Sequence, residues 1–443
     1  MTLKLVLVVV LSVYVTDALD NPTFTLSPSG GQFTVKDYPG LSTVLFHYWI
    51  DNGDEIIDKA TLTDTRVWQL SNPKLRPLRR LQYYAEFYFN TGVVTSVKQK
   101  WDRAPVAVLP PRKMRGVVMF REDFNGDQLD INNWLLAVTA TDDYQVEFQA
   151  YTNDKRNVFV RNGYLYLKPT LTVDSGHFTE DDLQHGVMDL KKTWGVCTEG
   201  GNNGCYRDSK KDILPPTLSG RVLSKPNIKY GTITVRAQIP RGDWLWPAIW
   251  MMPSKPDYGW WPASGEIDFM EATCNQVMHD SNGKNVGVQR IFSTYHMAPQ
   301  GGNFAVGRTF TKDTGDWHGF HNYELEWSPD RLVIKVDGKW MNTIDVHDGS
   351  SIWDMFNLKG DNPWVNGTKI APFDKEFYLI LNVAVGGTTS MFSDSFTYPY
   401  TKPWKNSDAR PMANFWAGRN LWLPSWHGDD VAMIIDYVEF RHM

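Results

Sequence analysis

Three acids fall within six residues of an otherwise apolar run, Gly265-Glu266-Ile267-Asp268-Phe269-Met270-Glu271-Ala272. Burying carboxylates costs several kcal/mol unless they are paired or put to use. In a regular strand Glu266 and Asp268 face one way and Glu271 the other. One β-bulge at Phe269–Met270 would return Glu271 to the face of Glu266 and Asp268. The α-carbons of the two glutamates would then stand about 13 Å apart, at about 3.3 Å per residue. Side chains leaning together from that spacing approach the about 5–5.5 Å carboxyl separation that retaining glycoside hydrolysis requires. In such chemistry one carboxylate is ionised and attacks, while the other holds a proton for the leaving oxygen. Asp268, between them, would hydrogen-bond the attacking group and raise its partner's pKa by like-charge repulsion. On an exposed edge strand the same pattern would be no more than a row of solvated acids.

The neighbouring residues favour the first reading. Upstream stands Gly242-Asp243-Trp244-Leu245-Trp246-Pro247-Ala248-Ile249-Trp250-Met251, and Trp260-Trp261-Pro262-Ala263-Ser264 runs directly into the acids. Indole planes bind the flat C–H faces of sugar rings with large apolar area and little entropic cost. Trp246, Trp250 and Trp261 are therefore candidate sugar contacts, and Trp250 equally suits core packing. The chain carries 19 Trp, more than a core of this size needs. Tyr295-His296 ends a strand that can neighbour the acidic one, which makes His296 either a substrate contact or a packed histidine.

These residues need a rigid β framework. The chain has 443 residues with 34 Gly and 25 Pro, which favours turns over long helices. A formal charge of −5 sets nucleic-acid binding aside. Residues 1–18, with Lys4, an apolar run from Leu5 to Val15, and small Thr16 and Ala18, read as a secretory signal peptide. Secretion is expected, with no membrane span. Residues 19–101 read as a small β-sandwich of short strands, including 32–36, 42–50, 80–90 and 93–100. Trp49, Trp68, Tyr84 and Tyr88 are its aromatic candidates. Residues 102–116, rich in proline and basic residues, read as a linker. Residues 117–443 read as one large antiparallel sandwich, with helices expected only at 181–190 and 351–358. Cys197 and Cys205 enclose a polar loop and are expected to pair in an oxidising compartment, leaving Cys274 buried or free. Asn366-Gly367-Thr368 is a glycosylation acceptor.

Gly265 to Glu271 resembles the catalytic motif of glycoside hydrolase family 16, in its laminarinase-like form with four residues between the glutamates. Three stretches together resemble the invertebrate β-1,3-glucan-binding proteins, also called Gram-negative-bacteria-binding or lipopolysaccharide-and-glucan-binding proteins. They are Gly242 to Met251 with Trp260 to Glu271, Phe377 to Gly387, and the tail from Pro403-Trp404 through Phe415-Trp416 to Leu423-Pro424-Ser425-Trp426. The front 80 or so residues are similar to carbohydrate-binding module family 39.

The resemblance implies an all-β chain: a small immunoglobulin-like sandwich followed by a large β-jelly-roll, concanavalin-like sandwich. It implies Glu266 as nucleophile, Asp268 as its helper and Glu271 as acid/base, with Asn275 and His321 lining the cleft. It implies β-1,3-glucan as ligand (laminarin, curdlan, fungal cell wall). Lipopolysaccharide and serine proteases of a prophenoloxidase-type cascade are its further implied partners. No cofactor or metal is expected, although Glu122, Asp123 and Asp436 fall where some members hold calcium. Many members have lost one or both glutamates and only bind, whereas this chain keeps both. It departs where the group shows an Arg-Gly after the motif and this chain has Thr273-Cys274. The expected function is a secreted pattern-recognition protein that retains endo-β-1,3-glucanase chemistry; the alternative is a digestive or antifungal glucanase without a signalling role.

Overall fold

The structure, a computed structural model, describes residues 22–27, 30–50, 55–72, 80–89, 92–95, 99–102, 116–141, 147–312, 315–346 and 349–443. The expected signal peptide and most of the expected linker lie outside these residues. The chain forms two compact units, Met1–Met114 and Arg115–Met443.

In the first unit alternating residues make two sheets around one core. One sheet runs Thr23–Ser27, Gly30–Lys36, Val67–Asn72, Thr61–Leu62. The other runs Glu55–Lys59, Leu41–Ile50, Arg80–Phe89, Gly92–Thr95, with Gln99–Asp102 also on Arg80–Phe89. Val44, Phe46 and Tyr48 alternate inward to meet Leu81, Tyr83, Ala85 and Phe87. This is the sandwich expected from the alternation. Trp68 belongs to its core and donates its indole N–H to Asp37 at 2.8 Å, so it is no surface contact.

The second unit is a larger antiparallel sandwich. Its eight-stranded sheet follows the order Val158–Arg161, Tyr164–Leu167, Met433–Arg441, Gly231–Gln238, Phe320–Ser328, Arg331–Val336, Lys339–Asp345, with Val118–Glu122 against Met433–Arg441. Its seven-stranded sheet follows the order Trp134–Leu136, Arg221–Ile228, Phe377–Val385, Leu245–Pro253, Glu266–Ala272, Arg290–His296, Ala305–Thr311. Ile233, Val235 and Ala237 of the first sheet and Ile267, Phe269 and Met270 of the second share one core.

Two helix expectations need correction. The stretch 181–190 splits into a helix Glu180–His185, a strand Val187–Asp189 and a helix Leu190–Trp194, because Gly186 interrupts the first helix and Asp189 caps the second. The other shrinks to Ile352–Met355, capped by Ser351. Helices at Pro411–Ala417 and Arg419–Trp422 were not expected; they bury Phe415, Trp416 and Trp422 of the aromatic tail. No helix among the described residues is long and apolar enough to cross a membrane.

Cys197 and Cys205 form a disulfide. Cys274 is buried, and burial holds its thiol well above the usual range. Asn366 is exposed in a turn. Asp123 and Glu439 are engaged by Arg121, Asp436 by Arg236, and Glu122 by the backbone N–H of Phe124.

Candidate active site

The acidic strand is kinked where the residue pattern requires it. Against Leu245–Pro253 the pairs are Ile249 with Met270 and then Trp250 with Asp268. Against Arg290–His296 they are Asp268 with Thr294 and then Glu271 with Phe292. Both neighbours therefore oppose one extra residue at Phe269–Met270, the signature of a β-bulge. Ile267, Phe269, Met270 and Ala272 all enter the core. Glu266, Asp268 and Glu271 are left on the opposite face. Apolar burial pins this register, since moving the bulge would expose Phe269 or Met270 to that face.

Each glutamate receives one indole N–H. Trp246, on the adjacent strand, donates to Glu271 Oε1 at 3.0 Å. Trp261 donates to Glu266 Oε2 at 2.7 Å from the segment just before the strand. His296 pairs across from Glu266 and brings Nε2 to 3.2 Å from Asp268 Oδ2. Ligand atoms of Glu266, Asp268 and His296 lie within 4.8 Å of one another, the one such three-residue grouping found among the described residues. Asp268 is only 2% exposed.

Crowding and burial set the protonation. Burial, followed by the charge of Asp268, pushes Glu266 up to about 8, against the opposing pull of His296 and the Trp261 N–H. Burial and then the charge of Glu266 push Glu271 up to about 7, opposed by His296 and the Trp246 N–H. Burial and then Glu271 hold Asp268 well above the usual carboxylate range. Three carboxyls this close cannot all ionise, and they retain protons near neutrality. That supplies the mixed state, one carboxylate beside one carboxylic acid, that two-carboxyl hydrolysis uses. The protonation state belongs to the coupled cluster rather than to any one carboxyl.

The surrounding face extends across the sheet. Residues opposite one another read Arg221, Asn382, Ala248, Glu271, Phe292, Thr309 from strand to strand. Trp250 lies beside this row. It donates to Asn382 Oδ1 at 2.7 Å, and the Arg221 guanidinium sits 5.2 Å from its ring centroid. Asn382 in turn donates to Tyr151 Oη at 3.0 Å, and Tyr151 donates to Glu147 at 3.2 Å. Sequence reasoning missed Glu147, Tyr151 and Arg221, which reach this face from two segments, 147–151 and the strand Arg221–Ile228. The alternation within 377–385 places Asn382 on the face of Tyr378 and Ile380.

Two expected contacts fall elsewhere. Asn275 is buried and accepts the backbone N–H of Trp244 at 3.1 Å. It anchors Trp244, held at φ 67, at the entry to the Leu245–Pro253 strand, which is a positioning role. His321 stands on the eight-stranded sheet, bonded to Asp337 Oδ2 at 2.7 Å and edge-on to Trp317 at 5.2 Å. Trp246, Trp261 and His296 do come together around the carboxylates, and Trp250 lies on the same face.

The model for glycosyl hydrolases family 16 matches residues 168–357. The catalytic domain of an endo-1,3-β-glucanase (laminarinase) from Thermotoga petrophila aligns with a TM-score of 0.43 and 21% identity, over 73% of this chain and 96% of that one. Among whole proteins, the β-1,3-glucan-binding protein of Penaeus monodon is 40% identical over 347 residues, 74% of this chain and 90% of that protein. β-1,3-Glucan-binding protein 1 of Manduca sexta is 28% identical over 332 residues, and the match spans 64% of its length. The chain belongs to the β-1,3-glucan-binding protein family.

Proposed function

We propose that this chain is a secreted β-1,3-glucan-binding protein whose larger unit also cleaves the glucan with retention of anomeric configuration. The observation that carries the reading is the bulge at Phe269–Met270, with Glu266, Asp268 and Glu271 on one face under two indole N–H donors. Glu266 attacks the anomeric carbon in its ionised form. Glu271 protonates the departing oxygen and then deprotonates the incoming water. Asp268 shares a proton with Glu266 and limits the charge that Glu266 carries. Trp250 and Trp261 present indole surface to the sugar rings, while Trp246 is buried and acts through its N–H on Glu271.

In the first unit the outer face of the five-stranded sheet is a second glucan contact. His47 stacks on Tyr84 with ring centroids 4.5 Å apart, and Trp49 adjoins Tyr84 at 5.8 Å. Two sites on one chain give avidity for a repeating polymer. Recognition of fungal or bacterial surfaces upstream of a protease cascade is the physiological role we assign, and glycosylation at Asn366 accompanies secretion.

The names of the relatives favour a second reading, in which the larger unit binds without turnover. Reducing-sugar release from laminarin, by the parent chain and by Glu266→Gln, separates the two. Hydrolysis by the parent that is lost in Glu266→Gln supports the enzyme. Binding by both without turnover in either leaves recognition alone.

A further inference from the structure

A second built cavity lies beyond the acidic cluster. Its volume is about 530 Å³, within the range of about 300–1,000 Å³ typical of small-ligand sites. It is lined by Thr309 of the edge strand Ala305–Thr311, by Lys312, Trp317 and His321, and by Asp337 and Lys339 at a hairpin turn. Thr309 also ends the cross-strand row that contains Glu271, through Phe292. Two strand spacings of about 4.8 Å separate them, so the cavity begins about 10 Å from Glu271, the reach of a few sugar rings.

The lining is held in place by its own bonds. His321 Nδ1–H donates to Asp337 Oδ2 at 2.7 Å, which directs Nε2 away from that bond. Asp337 Oδ1 accepts the backbone N–H of Asn322 at 2.9 Å. The Lys312 ammonium lies 4.4 Å from the Trp317 ring centroid and donates to the Asp316 carbonyl at 2.6 Å. Lys312, Thr309 and His321 share the lining with the Asp337 carboxylate and the Trp317 indole. Sugar hydroxyls, each both donor and acceptor, suit a lining that mixes donors, an acceptor and an aromatic ring.

We propose that this cavity is a distal subsite for the β-1,3-glucan chain as it leaves the acidic face across the edge strand. The inference rests on the glucan reading above and adds the prediction that long chains make contacts that short ones do not. It is tested on the full chain carrying Glu266→Gln, by peptide-resolved hydrogen exchange with a β-1,3-linked trisaccharide and heptasaccharide. Both sugars should slow exchange in the acidic strand. Only the heptasaccharide should also slow it, several-fold, in the 305–312 and 331–340 peptides. Adding His321→Ala or Lys312→Ala should abolish that second protection while the acidic strand stays protected, which shows that the variants remain folded. Protection of the acidic strand by the heptasaccharide with no change at 305–312, or protection there that survives both substitutions, overturns the subsite. If neither sugar protects the acidic strand, the glucan reading of that face fails and the subsite falls with it.

Discussion

Two sheet faces in this chain carry nearly the same residue types and differ in exposure. On the larger unit, His296 meets Glu266 and Asp268 under Trp261. On the smaller unit, His47 sits 3.0 Å from Glu55 and 3.3 Å from Glu86, beside Tyr84 and Trp49. The side chains of Glu55 and Glu86 are 39% and 25% exposed, against 3% for Asp268. Solvated carboxylates beside a histidine make hydrogen bonds and hold a surface together. Carboxylates withdrawn from water keep protons near neutrality and acquire acid–base chemistry. The composition of a face thus makes it a candidate for sugar contact, and burial decides whether it can also do chemistry.

The strongest test of this contrast is removal of the two glutamates beside buried Asp268. Glu266→Gln or Glu271→Gln should lower laminarin hydrolysis by about 10³-fold, measured as reducing-sugar release, while retention on curdlan stays within twofold of the parent. An equal loss of both would mean that the acids serve binding. Next in size is Trp246→Phe, which removes the indole N–H from Glu271. A hydrogen bond to a charged group is worth about 1.5–3 kcal/mol, so kcat should fall by roughly ten- to a hundredfold. That N–H holds the pKa of Glu271 down. Its loss should therefore move the alkaline limb of the pH–rate profile to higher pH, a shift that a packing defect alone would not give.

Tyr84→Ala, on the solvated face, should weaken curdlan retention by about tenfold and leave hydrolysis of short soluble oligosaccharides unchanged. A change in those rates would break the division of labour between the two units. The smallest expected effect is on stability. The folded chain keeps the Glu266 proton up to about 8, whereas an unfolded chain loses it near the ordinary value of about 4.3. Stability contributed by this protonated carboxyl is full below the unfolded value. It declines as pH rises through the window and is gone above the folded value. Glu266→Gln should accordingly raise Tm by about 2–4 °C at alkaline pH and leave it unchanged at pH 4, as read by calorimetry. No gain at alkaline pH would show that the carboxylate is not withdrawn from water.

Particular residues show how much was legible beforehand. Phe377–Val385 and Gly231–Gln238 were readable because apolar residues and turn signals bound them. The bulge was readable because three acids cannot otherwise share a face with Phe269 and Met270 both buried. The break after His185 was not, because a short helix ending at Gly186 and a longer one differ locally by very little. His321 and Asn275 were misplaced for a different reason. A polar residue inside an apolar strand shows that it needs a partner, and only packing shows which partner it finds.

From its residue order alone this chain determined an all-β architecture, the acidic strand and its kink, and indoles on either side of that strand in sequence. These follow from local periodicity and from the cost of burying charge, which act over a few neighbouring residues. The three-dimensional arrangement decided which indole bonds which glutamate, that His296 faces Asp268, and that Glu147, Tyr151, Arg221 and Asn382 converge on the same face. It also decided how far the acids are desolvated. Those outcomes depend on strand order and on sheet register between segments far apart in the chain, which no local pattern encodes.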